Sequence, residues 1–489
     1  MGLMRDSSIR SEQASIKAIL QTLLILGLIA AAAVARLTDL SADPQALRLT
    51  TSASLLSDEG FYSHQAANAA LGFGSDLRGD FSPAVAYPAW FPIQRWTYQL
   101  LGVSLRSTRL PAAIAGIFAA CALSFSMFRI GNRRAFVFAL ILLLFSFLTL
   151  SFSRLALLEM PALFYCALSF LMLTGLKPRL ITTFAAGILA SMAVMTKLST
   201  LPFVVVAGLW LLMHSRSHVA VFIGGFAAVG CIFAALSWRG HQVDLTYFLS
   251  ENVWFRGEKI FEKFRDSWRN FFVHNEAFGC SPLLGVLAAL AGPVTAIFAK
   301  NRGERFAGLW ASFQMAAIGS WYYQPSRYHL LWFMPGLLCL AILLSRLRYL
   351  YIAAAGIILG LGLEAPANLN LLIAPDHSIR DAGAACARIA ESVSDKPFLI
   401  GNMAGTMGVA GGMGSLVLYG PTARRAKALE GPRPSLLVTR FPYDPSDYPE
   451  VTAKYAPHFA ASFDLLKRYR PDARVFIYYL VPKSQKEPF

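Results

Sequence analysis

Apolar runs of membrane-crossing length dominate this sequence and limit what it can fold into. The first, Ala18 to Ala35, is about eighteen residues long, close to the ~20 residues that a helix needs to cross ~30 Å of hydrocarbon. Ten more follow at 110–128, 135–152, 155–176, 180–196, 201–214, 219–238, 282–299, 306–323, 328–344 and 350–365. The pattern predicts an all-α polytopic membrane protein with about 11 transmembrane helices. Composition agrees, because 56% hydrophobic residues, 15% charged residues and a mean hydropathy of +0.50 are wrong for a soluble chain of 489 residues.

The net charge of +16 would suggest nucleic acid in a soluble protein. Here the cations sit in the joints between apolar runs, so no nucleic-acid partner is expected, only membrane lipids. The joints Arg129/Arg133/Arg134, Lys177/Arg179, Arg216, Lys300/Arg302/Arg305 and Arg346/Arg348 recur at every second connection between these helices. By the positive-inside rule they mark the side of the N-terminus as cytoplasmic, and an odd number of spans puts the C-terminus outside. A cleaved signal peptide is the alternative for the first run, since Ala30 to Ala33 are small, but the run is long for one. The six cysteines form no CxxC and no disulfide framework.

Residues 1–366 read as a membrane module with two large outer loops. The first, 39–108, carries Arg78-Gly79-Asp80-Phe81 and the aromatics Trp90, Phe91, Trp96 and Tyr98, which suit a headgroup belt. The second, 239–281, contains 253–272, where aromatics recur at three- and four-residue steps between cations, as in a basic amphipathic helix lying in the outer interface or packed on a soluble domain. Residues 367–489 read as a small C-terminal α/β extracytoplasmic domain, with a helix over 381–393 and strands at 398–400, 416–419, 436–438 and 475–479. The stretch from Gly401 to Gly414 lacks the Gly-Lys-Ser/Thr of a phosphate loop and reads as a loop.

Candidate chemistry gathers at the outer helix ends. Asp58 and Glu59 are adjacent just beyond the first span, where they are either helix-capping acids or a site. Tyr62 and His64 follow within two turns, as candidates for the acceptor side or the loop. Arg154 and Glu159 flank a short hinge and form either a structural pair or a secondary site. Lys197 and Arg327, the latter beside Tyr328, mark two further outer hinges against the positive-inside trend; snorkelling is the plain account, an anionic ligand the other. Asp58, Glu159 and His64 could also ligate a divalent cation such as Mg or Mn, but no ligand spacing demands one.

The order of these motifs resembles a known family. Asp58-Glu59-x-x-Tyr62, Leu101-Gly102-Val103-Ser104 with Arg109-Leu110-Pro111, Ser153-Arg154 through Glu159-Met160-Pro161, Thr196-Lys197, and Arg327-Tyr328 followed by Pro335 look like the GT-C glycosyltransferases that use polyprenyl-phosphate sugars. Within that fold they are most similar to the protein O-mannosyltransferase, ArnT and Rgt-like group, over roughly residues 17–340. The resemblance implies a bacterial inner-membrane enzyme that transfers one sugar, with inversion, from an undecaprenyl- or other polyprenyl-phosphate donor to an envelope glycan, lipid A or protein. It implies Asp58 as general base, Glu59 as a second catalytic-site acid, and Lys197, Arg327, Tyr328 and Arg256 as donor-phosphate ligands. The chain departs from the aminoarabinose branch at Pro88 to Gln94, where those relatives carry a Lys beside an acid. A ligase or polymerase of lipid-linked oligosaccharides is the alternative within enzymes. A lipid or solute transporter is the alternative outside them, though it would show mid-membrane charges and two matching halves.

Overall fold

The computed structural model describes residues 2–43, 55–74, 87–174, 179–213, 216–252, 260–273, 281–321, 326–418, 425–427, 429–466 and 473–483. The helices of the membrane module are, in chain order, α1 (Gly2–Leu37), α2 (Leu55–Ala70), α3 (Phe91–Leu101), α4 (Leu105–Arg129), α5 (Arg133–Phe145), α6 (Phe147–Ser153), α7 (Glu159–Leu173) and α8 (Leu180–Thr196). They continue as α9 (Leu201–Leu212), α10 (Arg216–Asn252), α11 (Ile260–Val273), α12 (Pro282–Ile297), α13 (Arg302–Gly319), α14 (Leu330–Ser345) and α15 (Leu350–Ile373). Each of the eleven expected apolar runs contains a helix among the described residues. By length and hydropathy, four helices qualify as spans among the described residues and the bent pair α5–α6 makes a fifth, while five more are apolar but shorter. Helix α13 qualifies under neither description, because Arg302, Glu304 and Arg305 fill its first turn. The chain is a multi-pass integral membrane protein, but a count of eleven crossings is not reached.

Sequence chemistry places the helix ends. Ser104 and Ser107 close a capping box on α4, and Asn132 and Asn301 cap α5 and α13. Between α5 and α6 the axis turns by 53° at Ser146. Glu364 accepts the freed Phe147 N–H at 2.6 Å, so the break leaves no orphan donor there. Helices α8 and α10 pack backbone to backbone: a Cβ on Gly187 would lie 2.1 Å from the Phe222 carbonyl, and one on Gly225 2.2 Å from that of Phe184. In lipid, where apolar burial gives helices no reason to associate, such close approach supplies the dispersion contact that does.

Three expected boundaries shift. Helix α10 runs on to Asn252, well into the loop expected at 239–281. The amphipathic segment forms α11, whose Trp268 meets Gly319 of α13 and whose Phe271 is buried against His329 and Trp332, with Arg265 and Arg269 exposed. One aromatic edge of α11 is thus seated on the bundle. Helix α15 continues through Pro366 to Ile373, so the C-terminal unit begins after it rather than at 367.

That unit comprises α16 (Ser378–Glu391), β1 (Phe398–Gly401), α17 (Ala404–Gly411), β2 (Gly414–Val417), β3 (Leu436–Thr439), α18 (Pro449–Lys454), β4 (Tyr455–Asp464) and β5 (Arg474–Pro482). The sheet order is β2-β1-β3-β5-β4; β1 pairs in parallel with β2 and β3, and β5 is antiparallel to β3 and β4. Strand β4 was not expected. It holds Pro457 and a bulge between Phe459 and Ala461, features that an edge strand tolerates and that hide it from a pattern search. The Gly401–Gly414 stretch is not a loop: its centre is α17, and its glycines serve close packing. Gly405 abuts Gly60, Gly408 abuts Ser415 and Gly411 abuts Gly383.

Candidate active site

Helix α2 organises the site because adjacent residues on a helix point about 100° apart. Asp58 and Glu59 therefore face different partners. Glu59 turns inward to a bidentate pair with Arg109 of α4, at 2.8 and 2.7 Å, and also accepts the Ala156 N–H at 2.8 Å. Arg109 Nη1 also donates to the Leu40 and Ala42 carbonyls at 3.0 and 2.7 Å. Both side chains are fully buried, so this pair fastens the exit of α1, α2, α4 and the 154–158 hinge together. Glu59, expected as a second catalytic-site acid, is engaged here by Arg109 and the Ala156 amide. Arg109 had appeared only within a motif; its signal, a lone cation at the outer start of a span, was the same one that flagged Arg154, Lys197 and Arg327.

Asp58 faces the other way. Its carboxylate lies 2.7 Å from Arg327, whose Nε is 3.4 Å from Glu159 Oε1. Lys197 Nζ lies 3.2 Å from that same oxygen and 3.3 Å from the Tyr62 hydroxyl. Tyr62, Tyr87 and Tyr328 surround Lys197, with ring centroids 5.2, 5.8 and 4.7 Å from its ammonium. Such aromatic faces attract a desolvated cation. The four charged side chains balance to zero. Asp58 is the most accessible of them, with 12% of its side chain exposed against 3% for Arg327, 4% for Lys197 and 0% for Glu159. Burial raises the Asp58 pKa above the ordinary carboxylate value, against the opposing pull of Arg327 and Lys197.

The hinge cations and acids part company with the expected pairing. Arg154 does not meet Glu159. Its guanidinium donates to the carbonyls of Ala35, Arg36, Thr38 and Asp39 at 2.7 to 3.2 Å, capping the C-terminal end of α1, where carbonyls lack intrahelical donors. Glu159 belongs to the Asp58 cluster, and its Oε2 is buried without a hydrogen-bond partner. His64 is buried and its Nδ1 donates back to the Gly60 and Phe61 carbonyls at 3.2 and 3.0 Å, so it faces its own helix. Arg256 and the Arg78–Phe81 segment lie outside the described residues. Among the described residues, no three His, Cys, Asp or Glu side chains group as metal ligands.

An apolar cavity of about 390 Å³ opens between α3, α4 and α7. Trp90, Trp96, Pro111, Phe118, Pro161 and Tyr165 are among its walls. Pro161, one of its lining residues, lies on the same helix as Glu159 but two residues on, about 200° around it.

The architecture matches crystal structures of ArnT from Cupriavidus metallidurans. The apo state superposes with 14% identity and a TM-score of 0.59, and the state bound to undecaprenyl phosphate with 15% identity and a TM-score of 0.60. Each comparison covers 96% of this chain and 100% of the other. This chain has the ArnT fold. The likeness extends beyond the membrane module through the C-terminal unit, for which the sequence offered no transferable motif. No family model and no curated protein sequence matches the chain.

Proposed function

We propose that the protein is a glycosyltransferase of the bacterial inner membrane. It moves a single sugar from a polyprenyl-phosphate donor to an envelope glycan, lipid or protein on the extracytoplasmic face, with inversion at the anomeric carbon. The observation that carries this reading is the cluster of Asp58, Arg327, Glu159 and Lys197, two carboxylates beside two buried cations, of which Asp58 is the least buried member. Two further facts support it: an ArnT of the same fold binds undecaprenyl phosphate, and the apolar cavity between α3, α4 and α7 has a lining that suits hydrocarbon.

In this reading Asp58 accepts the proton of an acceptor hydroxyl as its oxygen bonds to the anomeric carbon. The bond from that carbon to the phosphate oxygen breaks, and its electron pair leaves with the phosphate. Arg327 and Lys197 hold the departing charge, and Tyr328 is positioned to donate to it. Because Arg327 is paired with Asp58, a donor phosphate that takes Arg327 also frees the carboxylate, so donor binding and activation of the base are one event. Glu159 Oε2 is available to accept from a sugar hydroxyl. A divalent ion would have to displace cations already paired with Asp58 and Glu159, so no step is assigned to one. The N-terminus is cytoplasmic, and the C-terminal unit, packed on α2, shares the outer side with Asp58.

The test is mass spectrometry of lipids and envelope glycans from cells carrying Asp58→Asn. Loss of one sugar from an acceptor, with accumulation of a polyprenyl-phosphate monosaccharide, is the expected result. Unchanged pools would remove Asp58 as the base and favour the transporter reading.

A further inference from the structure

A second cavity, polar where the first is apolar, lies at the C-terminal unit. It occupies about 550 Å³ between the turn that ends α2 and one face of the C-terminal unit. Gly72 and Phe73 form one wall, and Ser394, Lys396, Arg433 and Ser435 contribute to the others. Its ten lining residues include two cations and no acid; Asp395, next to Lys396, is not among them. The Lys396 ammonium sits 4.6 Å from the centroid of the Phe73 ring, which brings a positive charge and an aromatic face to the same wall.

The wall is rigid. Phe73 packs against Phe398 of β1 with ring centroids 5.1 Å apart, and a Cβ on Gly414 would lie only 2.4 Å from its ring. Ser435 is held by the sheet, donating its N–H to the Phe398 carbonyl at 2.8 Å and accepting from Leu480 N–H at 3.2 Å. Two hydroxyls and two cations line a surface suited to a saccharide that carries an anionic group: the hydroxyls pair and the charge is met, while the aromatic ring holds the Lys396 ammonium in place. Helix α2 runs from Asp58 toward the cavity and ends at Ala70, three residues before Phe73, a span of roughly 18 Å from Asp58 to the helix end at 1.5 Å per residue. That distance suits another sugar unit of the same extended glycan.

We propose that this cavity is a binding site for an anionic sugar, carboxylate- or phosphate-bearing, through which the acceptor glycan is held while its hydroxyl reaches Asp58. The acceptor role rests on the glycosyltransferase reading; the binding does not. The experiment uses purified full-length protein in nanodiscs and titrates galacturonate, glucose 1-phosphate, inorganic phosphate and neutral glucose by ligand-observed NMR. The protein is compared with the double variant Lys396→Met/Arg433→Gln, and binding is repeated in the Asp58→Asn background.

The expected result is saturable binding of galacturonate or glucose 1-phosphate that weakens with added salt and falls roughly tenfold in the double variant, with glucose weaker than either. Binding should persist in Asp58→Asn, and the double variant should raise the KM for acceptor without changing that for donor. Equal binding of neutral glucose, or no change in the double variant, would overturn the site. Inorganic phosphate binding as tightly as glucose 1-phosphate, with galacturonate silent, would reduce it to a phosphate site and overturn sugar recognition. Intact sugar binding in a chain that transfers no sugar would leave this site standing and remove the acceptor role with the enzyme reading.

Discussion

Asp58 and Glu59 are neighbours on one helix, yet their carboxylates occupy opposite electrostatic settings. Glu59 accepts two parallel hydrogen bonds from Arg109 and a third from the Ala156 amide, with no water access. Asp58 meets one cation that is itself shared with Glu159, and keeps the largest opening in its cluster. A saturated pair is a fastening; an incompletely matched pair is one that a ligand can compete for. Sequence adjacency therefore says little about shared role when a helix turns each residue by 100°.

The comparison breaks most clearly through paired amide variants. Asp58→Asn should lower kcat by roughly 10²–10⁴, the range that a general base contributes, with little change in thermal unfolding. Glu59→Gln should destabilise the protein by about 3–5 kcal/mol, because it strands a buried Arg109, while the folded fraction retains much of its turnover. Normal folding with lost turnover in Glu59→Gln would move that residue into the chemistry and abolish the distinction. Activity measured against pH sharpens the same point: burial raises the Asp58 pKa, so the acid limb should fall above the ordinary carboxylate range. Smaller again is Arg327→Lys, which keeps charge but loses the planar fork; the donor KM should rise several-fold more than that for acceptor.

The C-terminal unit extends the contrast, since it bears directly on α2. Thr406 donates to the Leu56 carbonyl at 2.8 Å, and Asn68 exchanges two hydrogen bonds with the Ser415 backbone at 2.7 and 2.9 Å. A Cβ at Gly60 would lie 2.0 Å from the Thr406 nitrogen. Alanine favours a helix over glycine by about 1 kcal/mol, so Gly60→Ala should stabilise α2 in isolation. In the protein it should instead cost about 1–3 kcal/mol through overpacking and lower kcat by displacing Asp58. A gain in stability would show that α17 does not press on this helix.

The sequence made some of this legible and hid the rest for identifiable reasons. Hydropathy located every long apolar helix, and the placement of Asp58, Glu159, Lys197 and Arg327 at the ends of apolar runs flagged each of them singly, with Glu159 assigned to Arg154. Their pairing was not legible, because Glu159 meets Lys197 and Arg327 across the fold while Arg154, five residues away, serves the end of α1. Local spacing favours the near pair; only the hinge geometry separates them. The helix α17 was hidden because glycine reads as a breaker, yet Gly405, Gly408 and Gly411 are the positions where neighbouring backbones or a small side chain come closest. Strand β4 was hidden by Pro457, whose edge location is a tertiary fact.

Asp43 supplies an intermediate case between the two carboxylates. It is buried where α1 meets the C-terminal unit; one oxygen accepts from Ser378 Oγ at 2.8 Å and from the Ile379 N–H at 3.3 Å, while the other has no hydrogen-bond partner. Burial pushes its pKa up to about 6, opposed by Arg109. A carboxyl whose folded pKa exceeds its unfolded value of 3.8 binds more protons when folded. Stability from this group is therefore fully present below the unfolded value and is lost as pH rises through about 6. Asp43→Asn keeps an acceptor for Ser378 and cannot ionise. It should raise the thermal unfolding temperature at pH 7 by a few degrees and flatten the slope between about pH 4 and 6. If the variant is instead less stable at pH 7, the charge on Asp43 contributes through Arg109 as Glu59 does, and it belongs with the fastenings.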